Sequence, residues 1–276
     1  MDLKALRDTP PWDWPKDTPK ILLEILRDDQ SAGPDRLLAA ELAGDFTVIS
    51  DDLAGTLLSI LGRGDLPEAL RGQAAISLGP VLEYVDTEGF DNIHALPIAE
   101  ATFQRIQESL HQLYSAAGVP KDVRRRILEA SVRAPRDWHP EAIRNAYASD
   151  DDTWKLTAVF CMCYVRGFAD QILDALDSLN ADIHHEAVIA AGNWEVDAAW
   201  PHVVALATSE WTDKPLRLAA IDAVASIRPH DAADVLSELA DSDDEDIVDA
   251  VDEALAMAEG FLGEDDEDDD KDEVIH

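Results

Sequence analysis

The chain has 276 residues, 46% of them hydrophobic and 6% aromatic, with 58 Asp plus Glu against 22 Lys plus Arg and a formal net charge of −36. That length can bury a sizeable core, as one or two domains or one elongated repeat array. The charge repels nucleic-acid phosphates and anionic lipid head groups, and no run approaches the ~18 consecutive apolar residues of a membrane span.

Residues 1–20 come first. Met1-Asp2-Leu3-Lys4-Ala5-Leu6-Arg7-Asp8 has no signal-peptide apolar region, and Trp12 and Trp14 are expected to fold back as a cap over the open end of the repeats that follow. From there one pattern recurs: a basic residue, then small residues three, six and eight positions on, the whole helical in period. It reads Arg36 with Ala39, Ala40 and Gly44, then Arg71 with Ala74, Ala75 and Gly79, then Arg124 with Ala130 and Lys155 with Ala158. It continues at His184 with Ala187, Ala190 and Gly192, at Arg217 with Ala220, Ala223 and Ala225, and in a degenerate copy from Val248 with Ala254 and Ala256. The starts lie 35, 53, 31, 29, 33 and 31 residues apart, one helical hairpin each.

Each hairpin reads as an apolar-periodic helix followed by the small-residue helix, for example residues 53–61 followed by 70–82. Ala and Gly on the buried stripe let neighbouring helices approach closely. Asp35, Asp122, Asp152, Asp182 and Asp246 stand where a carboxylate meets the positive end of the second helix, and Pro34, Pro67, Pro120, Pro140 and Pro215 mark the turns. The long interval after Arg71 places an insertion at about 85–97, a candidate partner contact because insertions in repeat arrays map to loops on one face. Residues 121–144 reverse the charge, with seven Lys or Arg against four Asp or Glu. Arg124, Arg125 and Arg133, with Trp138, His139 and Trp154 near them in sequence, form the candidate partner-binding surface, since Arg and aromatic side chains dominate binding hot spots.

Cys161 and Cys163 are the only cysteines, two apart on a helix, too close for a bridge within the chain, which fits a reducing cytoplasm. His139, His184, His185 and His202 with Asp182 lack the short fixed spacing of a zinc site and read as scattered surface histidines. Trp194, Trp200 and Trp211 are expected to seal gaps between hairpins. Residues 263–276, with Glu264 to Glu273 carrying nine acids and one base, are expected to stay extended as a solubilising tail.

The copies Leu70-Arg71-Gly72-Gln73-Ala74-Ala75-Ile76-Ser77-Leu78-Gly79 and Ile183-His184-His185-Glu186-Ala187-Val188-Ile189-Ala190-Ala191-Gly192 resemble HEAT repeats, specifically the short phycobilisome-lyase type, over roughly residues 20–260. The resemblance implies an all-α, right-handed α-α superhelix of about seven hairpins over 21–262. HEAT-like arrays are mostly interaction scaffolds. Deoxyhypusine hydroxylase, an exception, uses four His-Glu pairs at the same two repeat positions to hold two irons. Here only His185-Glu186 matches, which speaks against that chemistry. The expected function is therefore a non-catalytic, cytoplasmic scaffold without metal or cofactor, binding a protein of basic or mixed charge on its concave face. A HEAT-like lyase or chaperone, a metal-dependent enzyme and an acidic nucleic-acid mimic are the alternatives.

Overall fold

The computed structural model describes residues 2–90 and 96–269. Among the described residues all regular structure is helical, and no helix is long and apolar enough to cross a membrane. The contacts divide the chain into two compact units, Met1–Ala142 and Ile143–His276.

The first unit contains α1 (Leu3–Arg7), α2 (Thr18–Arg27), α3 (Gly33–Leu42), α4 (Asp51–Gly62), α5 (Glu68–Ile76), α6 (Gly79–Glu88), α7 (Glu100–Ser115) and α8 (Lys121–Ser131). Helices α2 and α3, α4 and α5, and α7 and α8 pair as hairpins. The second helices α3, α5 and α8 pack in one row and the first helices α2, α4 and α7 in another. Helix α1 lies on α3, and the indole N–H of Trp14 reaches back to the carbonyl oxygens of Leu6 and Thr9 at 3.0 and 2.9 Å. Trp14 thus closes the amino-terminal segment on itself, whereas Trp12 stays 78% exposed.

The segment read as one helix over 70–82 is two. Pro80 has no N–H to continue the hydrogen-bond ladder from Ile76, so α5 ends there and α6 restarts with Pro80 in its first turn. Part of the surplus length after Arg71 is therefore this extra helix, which packs on α8. Residues 91–95 of the expected insertion lie outside the described residues.

The boundary between units falls within α9 (His139–Tyr147). The second unit continues with α10 (Asp152–Met162), α11 (Ala169–Leu176), α12 (Ala181–Asn193), α13 (Trp200–Thr208), α14 (Lys214–Ile227), α15 (Pro229–Leu236) and α16 (Glu245–Asp269). Helices α11 and α12, α13 and α14, and α15 and α16 are hairpins, and α10, α12, α14 and α16 form the row of second helices. All seven second helices stand where the repeated pattern places them. Of the expected acidic tail, 263–269 enters as backbone of α16, and 270–276 lies outside the described residues.

The small residues of the pattern line the seams. Ala39, Ala40, Ala74, Ala75, Ala130, Ala158, Ala187, Ala190, Ala220, Ala223 and Ala225 are all buried, and the degenerate last copy departs from this only at exposed Ala256. The glycines at position eight mark the closest approaches. A Cβ on Gly44 would lie 2.6 Å from the Ser77 carbonyl oxygen, and one on Gly192 would lie 3.1 Å from the Ala223 Cα. Helix starts follow a related logic, with one shift from expectation. The side chains that accept first-turn N–H groups include Ser50 for α4, Asp151 for α10 and Asn180 for α12, while Asp152 and Asp182 sit one and two positions further in.

Candidate functional site

In three repeats the basic residue has an internal task. Arg36 Nη2 donates to the Leu26 carbonyl at 3.0 Å, Arg71 Nε to Leu61 at 2.9 Å and Arg217 Nε to Ala207 at 2.9 Å. In each case the acceptor lies ten residues earlier and is the next-to-last residue of the hairpin's first helix. The guanidinium therefore satisfies a carbonyl that a helix end leaves without an intrahelical partner, and places positive charge at the negative end of the dipole. Arg36 and Arg71 are 5% and 4% exposed, so these two are not surface cations.

The expected partner-binding residues fall into three groups. On α8, Arg125 is half-buried and pairs with Glu129 at 2.5 Å, while exposed Arg126 reaches the other oxygen of that carboxylate at 2.7 Å. Arg124 is half-buried beside them. Arg133 lies across Gly79, where a Cβ would stand 2.8 Å from its Cδ, and forms an ion pair with Glu83, tying α6 to the end of α8. It thus holds the extra helix in place.

Trp138 and His139 belong to an aromatic stack. Trp138 is half-buried between His111, at 4.9 Å and nearly parallel, and His139, at 3.9 Å. His139 is 1% exposed, which corrects its reading as a surface histidine. Its Nδ1 accepts the Arg136 N–H at 2.8 Å, and its Nε2 lies 3.0 Å from the Ser131 hydroxyl. Burial holds its pKa down to about 4, and the charges of His111 and Arg136 press the same way. Trp154, in α10, is also buried, at 8% exposure, so it fills the second unit's interior.

Among the depressions on the first unit, two bear on the expected partner-binding residues. One, of about 470 Å³, runs over the second-helix row: Leu37, Gly72 and Ile76 form its apolar floor, while Glu68, Gln73, Asp122, Arg125 and Arg126 bring both signs of charge. Gly72 leaves room there for the stem of Arg126, whose Cγ is 3.3 Å from where a Cβ would stand. The other, of about 520 Å³, is walled by His111, Arg136, Asp137 and Trp138 with residues of α7. Sequence proximity thus brought Arg125, Trp138 and His139 to one unit but not to one patch.

In the second unit His184 and His202 meet, Nε2 to Nε2 at 2.8 Å, and burial together with the neighbouring ring lowers the His184 pKa. His185 and Glu186 are half-buried, with the Glu186 carboxylate 4.0 Å from Cys163 Sγ. Burial pushes the Cys163 thiol up to about 12, which leaves it protonated and unreactive at neutral pH. Among the described residues no three His, Cys, Asp or Glu side chains converge as a metal site. The tryptophans divide. Trp194 lies half-buried under Arg166 at 4.9 Å and Trp200 under Arg228 at 5.0 Å, as sealing residues do, whereas Trp211 is 95% exposed and seals nothing.

Residues 169–256 match the family model of HEAT repeats, so that segment carries HEAT repeats. Solved structures of similar form include human deoxyhypusine hydroxylase in complex with glycerol, with 16% identity, a TM-score of 0.41, and 94% of this chain and 88% of that one covered. Another is the YibA protein of Escherichia coli, with 15% identity, a TM-score of 0.47 and coverage of 89% and 84%. A third is an engineered protein, with 18% identity, a TM-score of 0.36 and coverage of 89% and 98%. No curated protein matches the sequence.

Proposed function

We propose that this chain of HEAT repeats is a non-catalytic scaffold that binds a partner protein across the second-helix face of its amino-terminal unit. The observation that carries the reading is the depression over α3, α5 and α8, with an apolar floor and a rim of mixed charge. Such a surface suits a protein segment, because apolar residues and charges of both signs line it together and the exposed Glu68, Asp122 and Arg126 can select and orient a partner. Arg126, at 46% side-chain exposure, is the rim cation best placed to meet a partner carboxylate. Arg125 and Arg133 support the face through Glu129 and Glu83, and Trp138 offers an aromatic contact beside Arg136 at the other depression.

In this reading the partner is a cytoplasmic protein of basic or mixed charge, since a chain this acidic accelerates encounters with cations. Residues 1–20 close the amino-terminal end of the array, and the acidic run past 263 keeps the chain soluble. The test is a photo-crosslinker placed in the intact protein at Gln73, with one at exposed Glu24 on the first-helix row as control. Capture of one defined protein from Gln73, lost on Arg126→Glu and absent from Glu24, is the expected result. Equal capture from both positions would sink the assignment of this face.

A further inference from the structure

Among the described residues the two most exposed large apolar side chains are Leu179, at 105%, and Trp211, at 95%. They are not scattered. Leu179 sits in the turn between α11 and α12 and Trp211 in the turn between α13 and α14, and α12 packs on α14. Because first and second helices alternate in direction, successive turns of this kind come to the same edge of the second unit. The next pair of turns joins there too: Lys214, the first residue of α14, bridges Asp244 and Asp246 at the start of α16. Neighbouring packed helices stand roughly 8–10 Å apart, so the two apolar side chains project from adjacent rungs. Neither backbone turn requires them. Leu179 precedes the cap residue Asn180, and Trp211 engages Ser209 only through its main-chain N–H.

The surroundings are charged with one sign. The four turns of this edge, 148–152, 177–182, 209–214 and 240–246, hold twelve Asp or Glu and one base, Lys214, which the ion pairs above already occupy. An indole and a leucine set in such a field fit a partner that is apolar at the centre and cationic around it. A second copy of this chain would bring the same carboxylates against them, and anionic lipid or nucleic acid would be repelled likewise.

We propose that this edge docks a basic amphipathic helix of another protein. Two apolar side chains one heptad apart, roughly 10 Å along a helix axis, would cover Leu179 and Trp211, with flanking Lys and Arg meeting the acidic turns. The inference concerns a surface separate from the second-helix depression and stands whether or not that depression binds anything.

The probe is a synthetic helical peptide of roughly 20 residues with two leucines one heptad apart and lysines on either side, labelled for fluorescence anisotropy against the full chain. Two control peptides carry Glu for Lys or Ser for Leu. Saturable binding that both controls lose is expected, weakened about tenfold or more by Trp211→Ala or Leu179→Ser and unchanged by Arg126→Glu. Both side chains are exposed, so these variants should fold as the parent does, which circular dichroism checks. Three results would overturn the proposal: no binding, binding equal in the parent and both edge variants, or a self-associated species by sedimentation that Trp211→Ala disperses.

Discussion

Lowering the pH from 7.5 to 5 should destabilise the amino-terminal unit through one buried imidazole. His139 is neutral in the fold, with a pKa held near 4, whereas the unfolded chain returns it to its ordinary value of 6.5. Between those values the unfolded state binds the proton and the folded state does not, so stability is fully present above about pH 6.5 and drains away as pH falls toward 4. A separation of about 2.5 units, at 1.36 kcal/mol each, sets a ceiling of about 3.4 kcal/mol, of which about 2 is lost by pH 5. The assay is urea unfolding at both pH values for the parent and for His139→Asn, which cannot titrate. The difference between the two pH effects removes the contribution of the many exposed carboxylates common to both proteins. Trp138, stacked at 3.9 Å on the imidazole, supplies a fluorescence signal local to the event. Equal pH dependence in parent and variant, or an NMR titration of His139 near 6.5, would refute the reasoning.

Two further outcomes follow from the seams and the helix ends. Gly44→Ala should cost about 1–3 kcal/mol, because the new methyl group meets the Ser77 backbone, while Gly64→Ala, with open space around it, should stay within about 0.5 kcal/mol or stabilise slightly; urea midpoints decide. Arg71→Met should cost about 1.5–3 kcal/mol by leaving the Leu61 carbonyl without its charged donor, and unchanged thermal unfolding would show that the helix end satisfies itself.

The repeat pattern was legible because it is a packing requirement written in residue size. A position that must admit a neighbouring helix accepts only Ala or Gly, so Ala39, Ala74, Ala187 and Ala220 announce the seam without any structure. Pro80 carried a local signal as well, and it divides α5 from α6. The functions of the cations were not legible. An arginine is ordinarily exposed, and nothing in its neighbours says that Arg36 or Arg71 turns inward to a carbonyl ten residues back. His139 is buried by Ser131 and Arg136, eight and three residues away, a coincidence of the turn before α9 that no periodicity contains. For Trp211 the error ran the other way. Indoles are usually packed, but the turn from Ser209 to Asp213 presents this one beyond the reach of any neighbouring helix. The candidate surface was therefore half readable: the segment 121–144 does hold exposed Arg126 and the Trp138 stack, yet which of its side chains face outward is decided by three-dimensional partners such as Glu129 and Glu83.

The hydrogen bonds from Arg36, Arg71 and Arg217 to the ends of their own first helices have a consequence for how such a chain changes over time. Every clasp closes within eleven consecutive residues, so an added or deleted stretch that falls between one hairpin and the next severs none of them. The extra helix between Ile76 and Glu100 is an example already accepted: Arg71 still reaches Leu61 behind it. Lengthening is tolerated at the joints, and the modules themselves resist it.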